Sequence, residues 1–86
     1  MDIRSYRESR PKYNTRAAFC YRMNLFLRQW SLNISIPYLR DLESGRSVPS
    51  LALAVAVEDA TAGKVRVRDW PGLKKRMKQR KKHAAV

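Results

Sequence analysis

Two stretches of this chain open on a serine and stop at a glycine: Ser35 to Gly45 and Ser50 to Gly63. A serine hydroxyl accepts an orphan backbone N–H of a first helical turn, and glycine takes the left-handed backbone that ends a helix at no steric cost. The punctuation therefore predicts two short helices in succession, joined by a loop over Arg46 to Pro49. In the first, Pro37 falls in the opening turn, where its missing N–H is not needed. Leu39 and Leu42 stand three apart and supply one buried edge. In the second, LALAVAVEDATA is dense in Ala, Val and Leu and suits close packing in a small core.

The segments on either side are less sharply marked. Thr15 to Leu32 contains no Gly or Pro and carries two apolar stripes, Ala18, Tyr21, Leu25 and Leu32 on one and Phe19, Met23, Phe26 and Trp30 on the other. One long helix, or two short ones broken near Arg22 to Asn24, would satisfy this pattern. Residues 33–35 form a break in which Asn33 can take a left-handed turn. Residues 1–14 mix charge with Pro11 and scattered Tyr and read as a basic N-terminal arm that adds little core. After Gly63, KVRVRDW alternates apolar and basic residues, which predicts a short extended segment near 64–68 with Val65 and Val67 inward and Trp70 closing the core edge. Asp69 is placed to cap a last helix whose apolar pair is Leu73 and Met77. The fold class is all-α or nearly so, a bundle of about four to five helices over residues 15–70, followed by a basic C-terminal tail over 71–86.

At 86 residues the chain is one module. Its net charge of +12 points to a polyanionic partner, with nucleic acid first. The charge is not uniform: residues 1–30 carry +5, residues 31–63 carry −2 and residues 64–86 carry +9. That distribution describes a folded reader flanked by electrostatic arms. Cys20 is the only cysteine, so no intrachain disulfide can form, and a reducing, cytoplasmic setting is consistent with it. No stretch has signal-peptide character or the roughly 18 apolar residues a membrane span needs. No metal, cofactor or small-molecule ligand is expected. His83 stands alone in the tail, and Cys20 has no base to activate it. Without paired carboxylates or a glycine-rich phosphate loop, an enzyme is not expected either.

The string NISIPYLRDLESGRSVP resembles the second half of the helix-turn-helix pattern of the Cro/phage-repressor (XRE-type) family, in which a capping Ser precedes a recognition helix ending in Glu-x-Gly-x-x-x-Pro. The matching residues are Ser35, Leu39, Glu43, Gly45 and Pro49. Downstream, LALAVAVEDATAGKVRVRDW is similar to the segments that close small prophage-encoded Cro-like regulators, so the likeness covers about residues 25–70. It sets Leu25 at the opening of the first helix of the motif, Gln29 at the helix crossing and Asn33 at the turn, where the family has Gln, Ala and Gly. The resemblance implies a lambda-repressor-like bundle that binds operator-like duplex DNA and represses transcription. A homodimer follows, because one short helix reads too few base pairs.

A recognition helix must bury one edge and push the other into the major groove. With Leu39 and Leu42 inward, the candidates for base reading are Ile36, Pro37, Tyr38, Arg40 and Asp41, with Arg40 first because its fork can hold guanine. Candidates for phosphate contact are Ser35, Arg46 and Ser47, together with Lys74, Lys75, Arg76, Lys78, Arg80, Lys81 and Lys82 in the tail. Two other classes compete. An antitoxin or anti-repressor module would use the same fold to bind a protein and would expose an apolar patch around Phe19, Phe26 and Trp30. A tail-driven RNA-binding protein would depend on residues 71–86.

Overall fold

The computed structural model describes residues 1–70 and Leu73. Four α-helices, α1 (Ile3–Glu8), α2 (Arg16–Leu27), α3 (Ile36–Ser44) and α4 (Leu51–Ala60), alternate with turns, two of them single 3-10 turns at Arg28–Trp30 and Val67–Asp69. Among the described residues there is no strand, so the architecture is all-α. No helix there is long and apolar enough to cross a membrane.

All four helices start by the same device. The side chains of Asp2, Thr15, Ser35 and Ser50 each accept the backbone N–H three residues on, at 2.7, 3.2, 3.2 and 3.1 Å respectively. Each cap satisfies one N–H that a helix start leaves without a partner. The stops are left-handed residues, Ser31 (φ 58°) after the first 3-10 turn and Gly45 (φ 82°) after α3. Beyond α4 the chain reverses through Ala62 and Gly63, both at positive φ. Buried Thr61 pins that reversal, its hydroxyl donating to Val57 O (2.9 Å) and accepting from Val65 N–H (3.0 Å).

The core is built where α2 packs against both α3 and α4. Phe19, Cys20, Met23 and Leu27 come from α2, Leu39 and Leu42 from α3, and Leu53, Ala54, Ala56 and Val57 from α4. Ile3, Ile34, Val65, Trp70 and Leu73 complete it. Each leucine so enclosed stabilises the fold by about 1.5–3 kcal/mol relative to exposure.

Four expectations change. Residues 1–14 are not a detached arm: they carry α1, whose Ile3 is buried and whose Tyr6 packs edge-on against Phe19 with ring centres 6.1 Å apart. Between Thr15 and Leu32 there is one helix followed by a 3-10 turn, and the inward stripe is Phe19, Cys20, Met23 and Leu27. Tyr21, Leu25 and Trp30 are exposed, and Trp30 packs on half-buried Phe26 at the margin of the core. The segment 64–68 does not form an extended strand, for no strand among the described residues lies beside it to pair with. Val65 and Val67 still turn toward the core, and Asp69 accepts the Arg66 N–H at 2.8 Å, while the helix it was expected to cap lies outside the described residues. Finally, Trp70 closes the core edge as expected, but Leu73 is buried too, so the core runs into the segment expected to be tail. Met77, His83 and the basic residues from Lys74 to Lys82 lie outside the described residues.

Candidate nucleic-acid interface

Helix α3 presents two different edges. Leu39 and Leu42 are almost completely enclosed, and beside Leu39 in angle lies Glu43, whose side chain is only 2 % exposed. At about 100° per residue these three occupy one side of the helix. Away from them stand Pro37, Arg40 and Ser44, all exposed, and Ile36, next to Glu43 in angle, is exposed at the first turn. Tyr38, on the flank beside Leu42, is half-buried and packs partly against the core, and Asp41 is half-buried as well. Of the five base-reading candidates, Ile36, Pro37 and Arg40 are exposed and Tyr38 and Asp41 are half-buried. Ser44 joins the outward face unannounced, because a polar residue in the last turn carries no periodic signal.

Arg40 has no ion pair or hydrogen bond through its side chain among the described residues. Its two neighbouring carboxylates do not hold it. Glu43 is engaged inward, where Arg7 of α1 grips it with Nε at 2.7 Å from Oε2 and Nη2 at 3.1 Å from Oε1. Arg16, at the start of α2, adds a third bond from Nε to Oε1 at 3.2 Å. Arg7 also donates to the carbonyl of Asn14. The hydrogen bonds to Glu43 raise the Arg7 pKa against the opposing effect of burial. One buried carboxylate thus ties three helices together at the C-terminal end of α3, and a geometry of paired, parallel donors is the strong form of such contacts.

The N-terminal end of α3 is held by a second device. Asn24 of α2 pairs with the backbone of Ile34 in both directions, its Nδ2 donating to Ile34 O (2.9 Å) and its Oδ1 accepting from Ile34 N–H (2.7 Å). Ile34 is itself 2 % exposed, so these bonds satisfy backbone groups that water does not reach. The connection between α2 and α3, Arg28 to Ser35, is longer than the three or four residues of a standard helix-turn-helix.

The phosphate candidates are partly restricted. Ser35 is exposed, but its Oγ accepts the Tyr38 N–H and its carbonyl accepts the Leu39 N–H at 2.9 Å. Pro37 has no N–H to offer, which leaves Ile36 as the main free donor of the first turn. Arg46 is exposed, whereas half-buried Ser47 spends its N–H on Asp41 O (3.2 Å). The tail candidates lie outside the described residues.

The first half of the motif opens earlier than the resemblance set it. The helix that packs on α3 begins at Arg16 with Thr15 as its cap, not at Leu25, and the small buried residue on it is Cys20. Gln29 and Leu25 are exposed, and Gln29 turns its amide back onto Phe26 O at 2.9 Å. Burial pushes the Cys20 thiol pKa up, and the nearby Glu43 carboxylate adds to the rise. Among the described residues no three His, Cys, Asp or Glu side chains converge as metal ligands would. No protein-family model, curated protein or solved structure matches the chain.

Proposed function

We propose that this chain is a sequence-specific duplex-DNA-binding regulator of the Cro/phage-repressor helix-turn-helix type, with α3 as its recognition helix. The observation that carries the reading is the contrast within α3 between the enclosed side chains of Leu39, Leu42 and Glu43 and the exposed residues Ile36, Pro37 and Arg40. A helix anchored by one edge and one end can enter a major groove without disturbing its own domain. Arg40, unpaired among the described residues, is the base reader of first rank, and Arg46 with the basic chain beyond Leu73 supplies phosphate contacts. Repression by occupying a promoter, as a homodimer on two half-sites, completes the proposal.

Selection from random duplexes at about 0.15 M salt tests it. Arg40→Ala is expected to weaken the selected site by roughly 1–3 kcal/mol and to relax the preference at one base position. Because Trp70 and Leu73 belong to the core, the tail is best probed by replacing the lysines and arginines between Lys74 and Lys82 with Gln, not by truncation at Asp69. That variant should weaken all duplexes uniformly and flatten the salt dependence. Absence of any enriched sequence for the unaltered chain removes the proposal.

A further inference from the structure

A second surface lies away from α3. Between α1, the segment after it, α2 and the end of α4 the chain encloses an open cleft of about 480 Å³, within the range of sites that take a small molecule or a few side chains. Its floor is apolar, with Phe19 and Met23 nearly buried and Phe26 partly so. Phe26 in turn packs on Trp30 with ring centres 5.1 Å apart, and Trp30 is 44 % exposed, so the apolar surface continues beyond the cleft. At the rim stand two arginine–tyrosine pairs: Arg10 lies 4.5 Å over the Tyr6 ring and Arg22 lies 4.9 Å over the Tyr13 ring. No acidic residue lines the cleft, and neither arginine has an ion pair among the described residues. No residue of α3 lines it either.

From this arrangement we infer that the cleft is a docking site for an acidic, aromatic-bearing segment of another protein. The floor accepts one or two large apolar side chains, and the two guanidinium groups accept carboxylates on either side of them. Nucleic acid fits less well. A duplex backbone would leave the apolar floor unused, and unpaired bases would find the outer tyrosine faces already covered by arginine. Since α3 contributes nothing to the cleft, it is open whether or not α3 is engaged, and the inference goes beyond the DNA-binding reading.

The test is calorimetric titration of the full chain with two synthetic peptides of equal negative charge, one with phenylalanines between its glutamates and one with serines in their place. The first is expected to bind about tenfold more tightly than the second, a difference that saturating duplex DNA leaves unchanged. R10A/R22A should lose about tenfold for the phenylalanine peptide, R10K/R22K should recover most of it, and R28A/R68A, with the same net charge, should lose less than about twofold. Thermal melts confirm that each variant folds. Equal affinity for the two peptides, or equal loss in the two alanine pairs, reduces the cleft to general charge attraction and overturns the inference. So do two further outcomes: a dimer that R10A/R22A alone converts to monomer, which makes a second copy the occupant, and displacement of the peptide by a single-stranded oligonucleotide. Failure of the peptide with intact selection of a DNA site would sink this inference and leave the DNA reading standing.

Discussion

Helices α3 and α4 follow one another, are of similar length, begin on serine caps and end in turns through left-handed glycine, yet α3 buries two apolar residues and α4 four. The difference lies in how each is held. Helix α4 buries four apolar residues, Leu53, Ala54, Ala56 and Val57, and is held by area. Helix α3 buries two leucines and is held at its end by the Glu43 clamp. Ionic anchoring at one end substitutes for apolar contact along the length, which is what a helix that must also present a surface requires.

The sharpest way to break this contrast is Glu43→Ala, which leaves Arg7 buried without its partner. Loss of one member of such a pair costs about 3–5 kcal/mol, a large share of the stability of a small domain. Chemical denaturation should show that loss, and near-wild-type stability would mean that the leucines alone hold α3. Next in size are the caps. Ser35→Ala and Ser50→Ala remove the same hydrogen bond from the two helices and should each cost about 1 kcal/mol. If only one of the pair destabilises the protein, the shared start of α3 and α4 is not equivalent and the comparison must be redrawn.

The smallest effect concerns Cys20, which sits on the α2 face that packs toward both helices. Its folded-state pKa lies above the unfolded one, so its contribution is complete below the unfolded value and is lost as pH rises through the folded value. Stability should therefore decline as pH climbs past the ordinary thiol range, and Cys20→Ala should lack that decline. Alkylation of the native protein near neutral pH should be slow, with Glu43→Ala accelerating it. Rapid alkylation of the unaltered chain would contradict the burial of this thiol.

What was legible in the sequence was local. The caps at Ser35 and Ser50, the stops near Gly45 and Gly63 and the inward pair Leu39 and Leu42 are all written within a few residues of where they act. The rest depends on partners far along the chain. Nothing near Arg7 marks it as buried, since its carboxylate lies 36 residues away, and α1 is too short to signal itself by periodicity. Trp30 misleads because it lies past the end of α2 and packs on Phe26 at the margin of the core, and KVRVRDW misleads because alternation makes a strand only where another strand waits. The candidate site divides the same way: the outward position of Arg40 follows from Leu39 and Leu42, while the inward engagement of Glu43 does not.

The reciprocal bonds between Asn24 and Ile34 make the chain from 25 to 33 a tethered excursion. Because its two ends are latched to each other, the distance from α2 to α3 does not depend on how much chain lies between them. Closing a longer loop adds only about 0.6 kcal/mol for each doubling of its length. Arg28 to Ser31 is accordingly a place where the chain can gain or exchange residues while the two helices keep their relation. Such a site of tolerated variation sits beside a helix that is free to be exact.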